Sequence, residues 1–154
     1  MSAPFTLQRA QWVPRPLQEV FAFFADARNL ETLTPTWLSF EILTPEPIEM
    51  TTGVIIDYKL RWHGIPLRWK TEITRWEPPN YFEDLQIKGP YKLWRHIHRF
   101  DAVENGTRIS DTVQYSLPFG LLGRAVHGFS VRRNIEEIFD YRDEKVRALF
   151  GRKG

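Results

Sequence analysis

The most constraining feature of the chain is its strict alternation between residues 53 and 62. Val54, Ile56, Tyr58, Leu60 and Trp62 fall on one side, and Asp57, Lys59 and Arg61 on the other. Successive strand residues point to opposite faces, so this pattern specifies a strand covered on one side only. His63-Gly64 follows as a two-residue hairpin turn, since glycine adopts positive φ without cost. The turn pairs Trp62 with Ile65, Leu60 with Leu67, and Tyr58 with Trp69, and it sets Asp57 opposite Lys70. Both apolar faces coincide in that register, and the outer pair is of opposite charge.

Asn105-Gly106 marks a second hairpin. Turning on that dipeptide pairs Glu104 with Thr107, Phe100 with Asp111, His98 with Val113, and His96 with Tyr115. Trp94, His96, His98 and Phe100 then share an inward face with Asp111, Val113 and Tyr115, while Arg95, Arg99, Arg108 and Gln114 face outward. The strand Tyr81–Lys88 precedes this hairpin and is joined to it through Gly89-Pro90. A three-residue loop there pairs Lys88 with Lys92, so that Gln86 faces Trp94, Asp84 faces His96, and Phe82 faces His98. A two-residue loop would turn Asp84 and Gln86 to the other face, because a one-residue slip inverts a strand.

The ends of the chain read differently. Phe5 to Val13 is a first strand, stopped by Pro14 and Pro16. Leu17, Val20, Phe21 and Phe24 follow at helical spacing. A second short helix is expected over Asp26 to Leu33, and a loop from Pro45 to Gly53. After Pro118-Phe119-Gly120, a long helix is expected from Leu121 to Phe150, with Val131, Ile135, Ile138, Arg142, Val146 and Leu149 along one side. The length of 154 residues fits one domain, 1–154.

Composition narrows the function classes. Aromatic residues make up 14% of the chain, which excludes an extended disordered polymer. The net charge is only +2, with cations spread along the sequence, so no nucleic-acid footprint is expected. There is no cysteine, hence no disulfide and no thiol chemistry. No stretch approaches the length of a spanning helix, and no secretory leader is visible at Met1-Ser2-Ala3-Pro4-Phe5, so a cytoplasmic protein is expected.

The order of one strand, two short helices, about six antiparallel strands and a long C-terminal helix resembles the helix-grip fold of the START-like superfamily, also called SRPBCC. The resemblance is to its bacterial ligand-binding, polyketide cyclase/dehydrase-like branch. The residues that carry it are Asn29-Leu30, Leu33-Thr34-Pro35, Phe82-x-Asp84-x-Gln86-x-x-Gly89-Pro90, Trp94-x-His96-x-His98-x-Phe100, Gly106-Thr107, Asp111, Tyr115-x-Leu117-Pro118, and Tyr141-Arg142. It implies an α+β fold in which a curved antiparallel sheet wraps the C-terminal helix around a cavity for a hydrophobic small molecule.

Four polar groups, His96, His98, Asp84 and Asp111, converge on this aromatic wall. Buried polar groups must find hydrogen-bond partners. One reading is that they satisfy one another and lock the strand register. A second makes them the polar handle of a pocket that binds an aromatic or lipid-like molecule, with Trp94, Phe100, Tyr115, Tyr58, Trp69, Phe82, Gln86 and Arg142 around it. A third makes the Asp–His pairs general acid–base groups of a cyclase or dehydratase. A fourth keeps the cavity filled by the protein's own rings, as an interaction module. His-x-His plus a carboxylate can also hold zinc, but two acidic partners favour hydrogen-bonded imidazoles, so no metal and no cofactor is expected. The expected state is a monomer or weak homodimer.

Overall fold

The computed structural model describes residues 3–62, 64–118 and 130–151. Seven strands form one antiparallel sheet: β1 (Phe5–Val13), β2 (Glu41–Ile42), β3 (Ile55–Trp62), β4 (Ile65–Glu77), β5 (Tyr81–Lys88), β6 (Leu93–Val103) and β7 (Gly106–Ser116). Their spatial order is β1-β7-β6-β5-β4-β3-β2. Helices α1 (Leu17–Ala25) and α2 (Asn29–Leu33) connect one sheet edge to the other, and α3 (Arg132–Phe150) follows the last strand.

The first hairpin has the expected register, with Trp62 opposite Ile65, Tyr58 opposite Trp69, and Asp57 opposite Lys70. Ile65, at the tip, is nevertheless 57% exposed. The long strand β4 carries register shifts between Lys70 and Thr71 and between Ile73 and Arg75. A bulge bends the strand and adds one residue to the alternation. Here the inward series Trp69, Thr71, Ile73 resumes at Trp76, which packs on Phe21 with ring centroids 5.3 Å apart.

The second hairpin differs from its expected register by two residues. Val103 pairs with Gly106, so the turn is Glu104-Asn105, and Phe100, His98 and His96 lie opposite Ile109, Asp111 and Val113. A shift of two preserves the inward face but changes every cross-strand partner. Asn105 takes the positive φ of 60°, while Gly106 has another task. A Cβ on Gly106 would lie 2.1 Å from the carbonyl oxygen of Val13. The glycine therefore lets β1 and β7 approach closely.

The helices also depart from expectation in detail. Asp26 ends α1 in an extended conformation, and its carboxylate accepts from the Arg28 backbone at 3.1 Å, so the second helix begins only at Asn29. Asn29 in turn donates to the Phe23 carbonyl at 2.7 Å, closing the end of α1. The expected long helix is seen from Arg132, and its portion over residues 121–129 lies outside the described residues. Its buried side runs Val131, Ile135, Phe139, Arg142, Val146, Phe150, whereas Leu149 is 47% exposed. A 3.6-residue repeat drifts over five turns, which exchanges Leu149 for Phe150.

Two apolar clusters flank the centre. One joins Val13, Phe21, Phe24, Phe82, Phe100, Val146 and Phe150 from α1, the sheet and the end of α3. The other joins Val113, Tyr115, Val131, Ile135 and Phe139. The rings of His98 and His96 bridge them. His98 stacks on Phe82 at 4.0 Å, His96 on His98 at 3.7 Å, and His96 meets Phe139 edge-on at 5.6 Å.

Candidate ligand cavity and its polar floor

His96 and His98 stand two apart on β6, so the pleat puts both on the inward face. Asp84 on β5 is the direct strand partner of His96, and Asp111 on β7 is the direct partner of His98. The hydrogen bonds cross these pairings. Nε2 of His96 shares a 2.7 Å bond with Oδ1 of Asp111, and Nε2 of His98 shares a 2.6 Å bond with Oδ2 of Asp84. Each carboxylate thus takes the diagonal imidazole. Both histidines and Asp111 are buried.

Arg142 makes the two carboxylates unequal. It enters from α3, is itself buried, and places Nη2 3.5 Å from Oδ1 of Asp111. Burial opposes the charge on Asp111, but Arg142, followed by the hydrogen bond from His96, holds its carboxyl below the usual carboxylate range. Asp84 has no Lys or Arg partner among the described residues, and burial pushes its carboxyl up to about 6, against the pull of His96 and the more distant Arg142. Burial, then the neighbouring His96, lowers His98 well below the ordinary imidazole value. This shift favours the neutral imidazole, whose Nε2–H tautomer donates to the Asp84 carboxylate above about pH 6.

Above this floor lies a cavity of about 500 Å³ between the sheet, α1, α2 and α3. Tyr58, Trp69, Trp94 and Phe82, expected around a ligand, are on its wall, as are Asp84, His96, His98 and Arg142. Tyr58 and Trp69 stack with centroids 5.9 Å apart, and Trp94 meets Trp69 edge-on at 5.5 Å. Among the described residues, three buried polar atoms make no hydrogen bond: Nε1 of Trp69, Nδ1 of His98 and Nη2 of Arg142, the last being ion-paired with Asp111.

Four expected site residues are placed elsewhere. Phe100 is fully buried in the ring cluster with Phe21, Phe24 and Phe82, behind the wall. Tyr115 packs under Phe5 and Trp94 in the second cluster. Asp111 is a support beneath His96 and Arg142 rather than part of the lining. Gln86 clamps the β5–β6 loop: its amide donates to the Tyr91 carbonyl at 2.7 Å, and its Oε1 accepts from the Tyr91 N–H at 3.1 Å. The clamp explains Gly89, where a Cβ would lie 2.5 Å from Oε1 of Gln86. Beyond Leu85–Arg95 the β5–β6 ladder opens, so Gln86 does not pair with Trp94.

Sequence reasoning missed Tyr91, which lines the cavity and packs on Trp94 at 4.8 Å and on Trp69 at 5.6 Å. It sits in a loop, where no periodicity points inward; the nearest signal was Gly89-Pro90. Phe24, Leu33 and Ile56 also contribute apolar wall.

A curved antiparallel sheet gripping a C-terminal helix over a cavity of this kind defines a START-like, or SRPBCC, helix-grip protein. The family model described as polyketide cyclase / dehydrase and lipid transport matches residues 13–139, and the chain belongs to that family. No curated protein matches the sequence. Among solved structures, the chain is similar to protein TTHA0849 from Thermus thermophilus, at 19% identity and a TM-score of 0.70, covering 94% of this chain and 99% of that one. It is similar to protein CV1439 from Chromobacterium violaceum, at 12% identity and a TM-score of 0.72, covering 96% and 98%. Ginseng major latex-like protein 151 from Panax ginseng is a third, at 10% identity and a TM-score of 0.69, covering 97% and 99%. At these identities the likeness is one of fold. No helix among the described residues is long and apolar enough to cross a membrane.

Proposed function

We propose that the protein binds a hydrophobic, ring-containing small molecule in the cavity between the sheet and α3. The observation that carries this reading is an apolar chamber of about 500 Å³ whose wall holds Trp69, with Nε1 buried and without a hydrogen bond, beside Arg142, whose Nη2 is ion-paired with Asp111 at 3.5 Å. That volume is of the size that encloses a drug-sized ligand, and a few placed polar groups on an apolar wall fix orientation. An unpaired buried donor costs free energy that an acceptor on a ligand recovers. The ligand accordingly has a flat apolar body, for Tyr58, Trp69, Tyr91 and Trp94, and a carbonyl, phenolate or carboxylate oxygen. The description of the family, which includes lipid transport, agrees with an apolar cargo.

The test is a thermal-shift screen with planar phenols, aromatic carboxylates and fatty acids, joined to native mass spectrometry of gently purified protein. A ligand selective for the folded state raises the melting temperature. The reading fails if no compound does so and no small molecule is carried through purification. Trp69→Phe keeps an aromatic side chain but removes the donor and part of the indole, so it should weaken the best compound at least tenfold, equivalent to ~1.4 kcal/mol.

A second reading, catalysis, is favoured by one specific observation: the Asp84–His98 pair is on the cavity wall, with the carboxyl near 6. Such a pair can exchange a proton with a carbonyl compound near neutral pH, the chemistry of a cyclase or dehydratase. His98→Gln and Asp84→Asn should then abolish turnover of a polyketide-like substrate while binding persists. Full turnover in both variants rejects it.

A further inference from the structure

The cavity floor contains two carboxylate–imidazole clusters that differ in one respect. On the β7 side, Asp111 meets His96 Nε2 at 2.7 Å, His98 Nδ1 at 3.7 Å, and the guanidinium of Arg142 at 3.5 Å. On the β5 side, Asp84 meets His98 Nε2 at 2.6 Å and has no Lys or Arg side chain against it among the described residues. There, one ligand atom from each of Asp84, His96 and His98 lies within 4.8 Å of the other two. All three residues line the cavity.

We propose that Asp84, His96 and His98 form a binding site for one divalent transition-metal ion, with an open coordination position facing the cavity. Two imidazoles and one carboxylate suit zinc, cobalt or ferrous iron, and they are poor ligands for calcium or magnesium, which take oxygen. The spacing is near what an ion requires. With bonds of ~2.0–2.1 Å, tetrahedral ligand atoms sit about 3.4 Å apart. The Asp84–His98 contact opens by less than ~1 Å to reach that value, and the widest separation closes by about 1.4 Å. Both histidines stand on β6 and the carboxylate on the adjacent strand β5, where Asp84 is the direct partner of His96.

The surrounding groups fit the same role. Asp111 holds Nε2 of His96 and is itself held by Arg142, which leaves Nδ1 of His96 for the ion. A carboxylate behind a ligating imidazole is the usual outer support of a metal site. When the ion takes Nε2 of His98, the ring proton sits on Nδ1. That nitrogen is buried without a hydrogen-bond partner and lies 3.7 Å from Oδ1 of Asp111. Metal binding therefore turns a buried orphan nitrogen into a donor that faces the Asp111 carboxylate, a contact that must shorten by about 0.5 Å to become a hydrogen bond. The chain's own proton count is unchanged in that step: one ring proton changes nitrogen, and the ion occupies the vacated lone pair. Sequence alone favoured hydrogen-bonded imidazoles because two acids were available. Both imidazoles are indeed hydrogen-bonded to those acids, but only Asp111 is also held by Arg142, which leaves Asp84 as the carboxylate that can turn to an ion.

The experiment uses untagged, full-length protein freed of metal by chelator, titrated with Co²⁺ and then Zn²⁺, with no organic ligand present. The expected result is one equivalent of Co²⁺, visible d–d bands of a low-coordinate site, and displacement by Zn²⁺. Asp84→Asn and His98→Gln should each weaken Co²⁺ binding at least tenfold, and Asp111→Asn by about 10- to 100-fold. His63→Gln and His127→Gln should leave it unchanged. Absence of stoichiometric binding up to millimolar Co²⁺ overturns the proposal, as does binding that survives both Asp84→Asn and His98→Gln. Should those variants fail to fold by circular dichroism, imidazole nitrogen–proton spectra of the wild type decide. Zn²⁺ must shift the ring signals of His96 and His98, and shifts confined to His63 or His127 overturn the site. Apolar ligand binding is scored on metal-free protein, so either result stands without the other.

Discussion

Asp84 and Asp111 are the same side chain on the two strands that flank β6, and their surroundings drive them apart. Arg142 and the His96 hydrogen bond keep Asp111 ionised, whereas burial lifts Asp84 to about 6. The consequences for stability have opposite signs. The folded pKa of Asp111 lies below its unfolded value, so its contribution is present above about pH 4 and is lost as the pH falls further. The folded pKa of Asp84 lies above its unfolded value, so its contribution is present below about pH 4 and is lost as the pH rises through about 6. Urea midpoints measured from pH 3 to 7 should therefore show a smaller acid-side loss in Asp111→Asn and a flatter profile between pH 4 and 6 in Asp84→Asn. Near pH 7, Asp111→Asn leaves the Arg142 guanidinium buried beside a neutral amide and should cost about 3–5 kcal/mol, read as a lower urea midpoint. Adding Arg142→Met should recover part of that loss, because charge and partner then leave together.

At the scale of elements, two glycines decide how strands and loops meet. Gly106→Ala drives a methyl group against the Val13 carbonyl, on backbone that cannot swing aside. It should cost about 1–3 kcal/mol or more and expose the β1–β7 amides to hydrogen exchange. Gly89→Ala meets only the end of a side chain, that of Gln86. That side chain can move, at the expense of the two hydrogen bonds that clamp Tyr91, so the global cost should stay near ~1 kcal/mol. Faster exchange of the Tyr91 amide would be its signature, and an unchanged rate would mean that the clamp does not hold the loop. The bulges in β4 act on a larger piece of the sheet. They turn Trp76 toward Phe21 while Trp69 and Ile73 remain on the cavity side.

For the whole molecule, the ring lattice and the cavity divide the interior between them. Phe21, Phe24, Phe82 and Phe100 interlock at centroid distances between 5.2 and 6.1 Å and fill one end. Tyr58, Trp69, Tyr91 and Trp94 are equally aromatic but stand around open volume. The division predicts that filling the chamber separates binding from stability. Leu60, half-buried on the wall, is a suitable position. Leu60→Trp should change the unfolding free energy by less than about 1 kcal/mol, as the added ring enters existing space. It should also abolish the thermal shift given by any ligand of the wild type. Retention of that shift would place the ligand outside the cavity.

How far the sequence reaches follows from the periodicities involved. A period of two is set by local geometry, so the inward faces of β3, β4, β6 and β7, and the convergence of His96, His98 and Asp111, are legible from alternation and turn residues, whereas Asp84 joins them only in one of two loop registers, the one that the β5–β6 pairing adopts. The same rule is blind to a shift of two, which is why the second hairpin kept its faces and exchanged its partners. Which imidazole each carboxylate takes depends on diagonal distances across a twisted sheet, and no spacing encodes them. Gln86 has the face expected of a ligand contact, but its amide is consumed by the loop it closes. Phe100 has the same face as His98, yet α1 covers it with Phe21 and Phe24. By itself the sequence determined a one-sided antiparallel sheet, a covering helix and an aromatic wall with a polar centre. The tertiary structure alone decided which rings fill the core and which line the cavity. It also decided that Arg142 reaches Asp111 rather than Asp84, because that meeting depends on where α3 lies across the sheet.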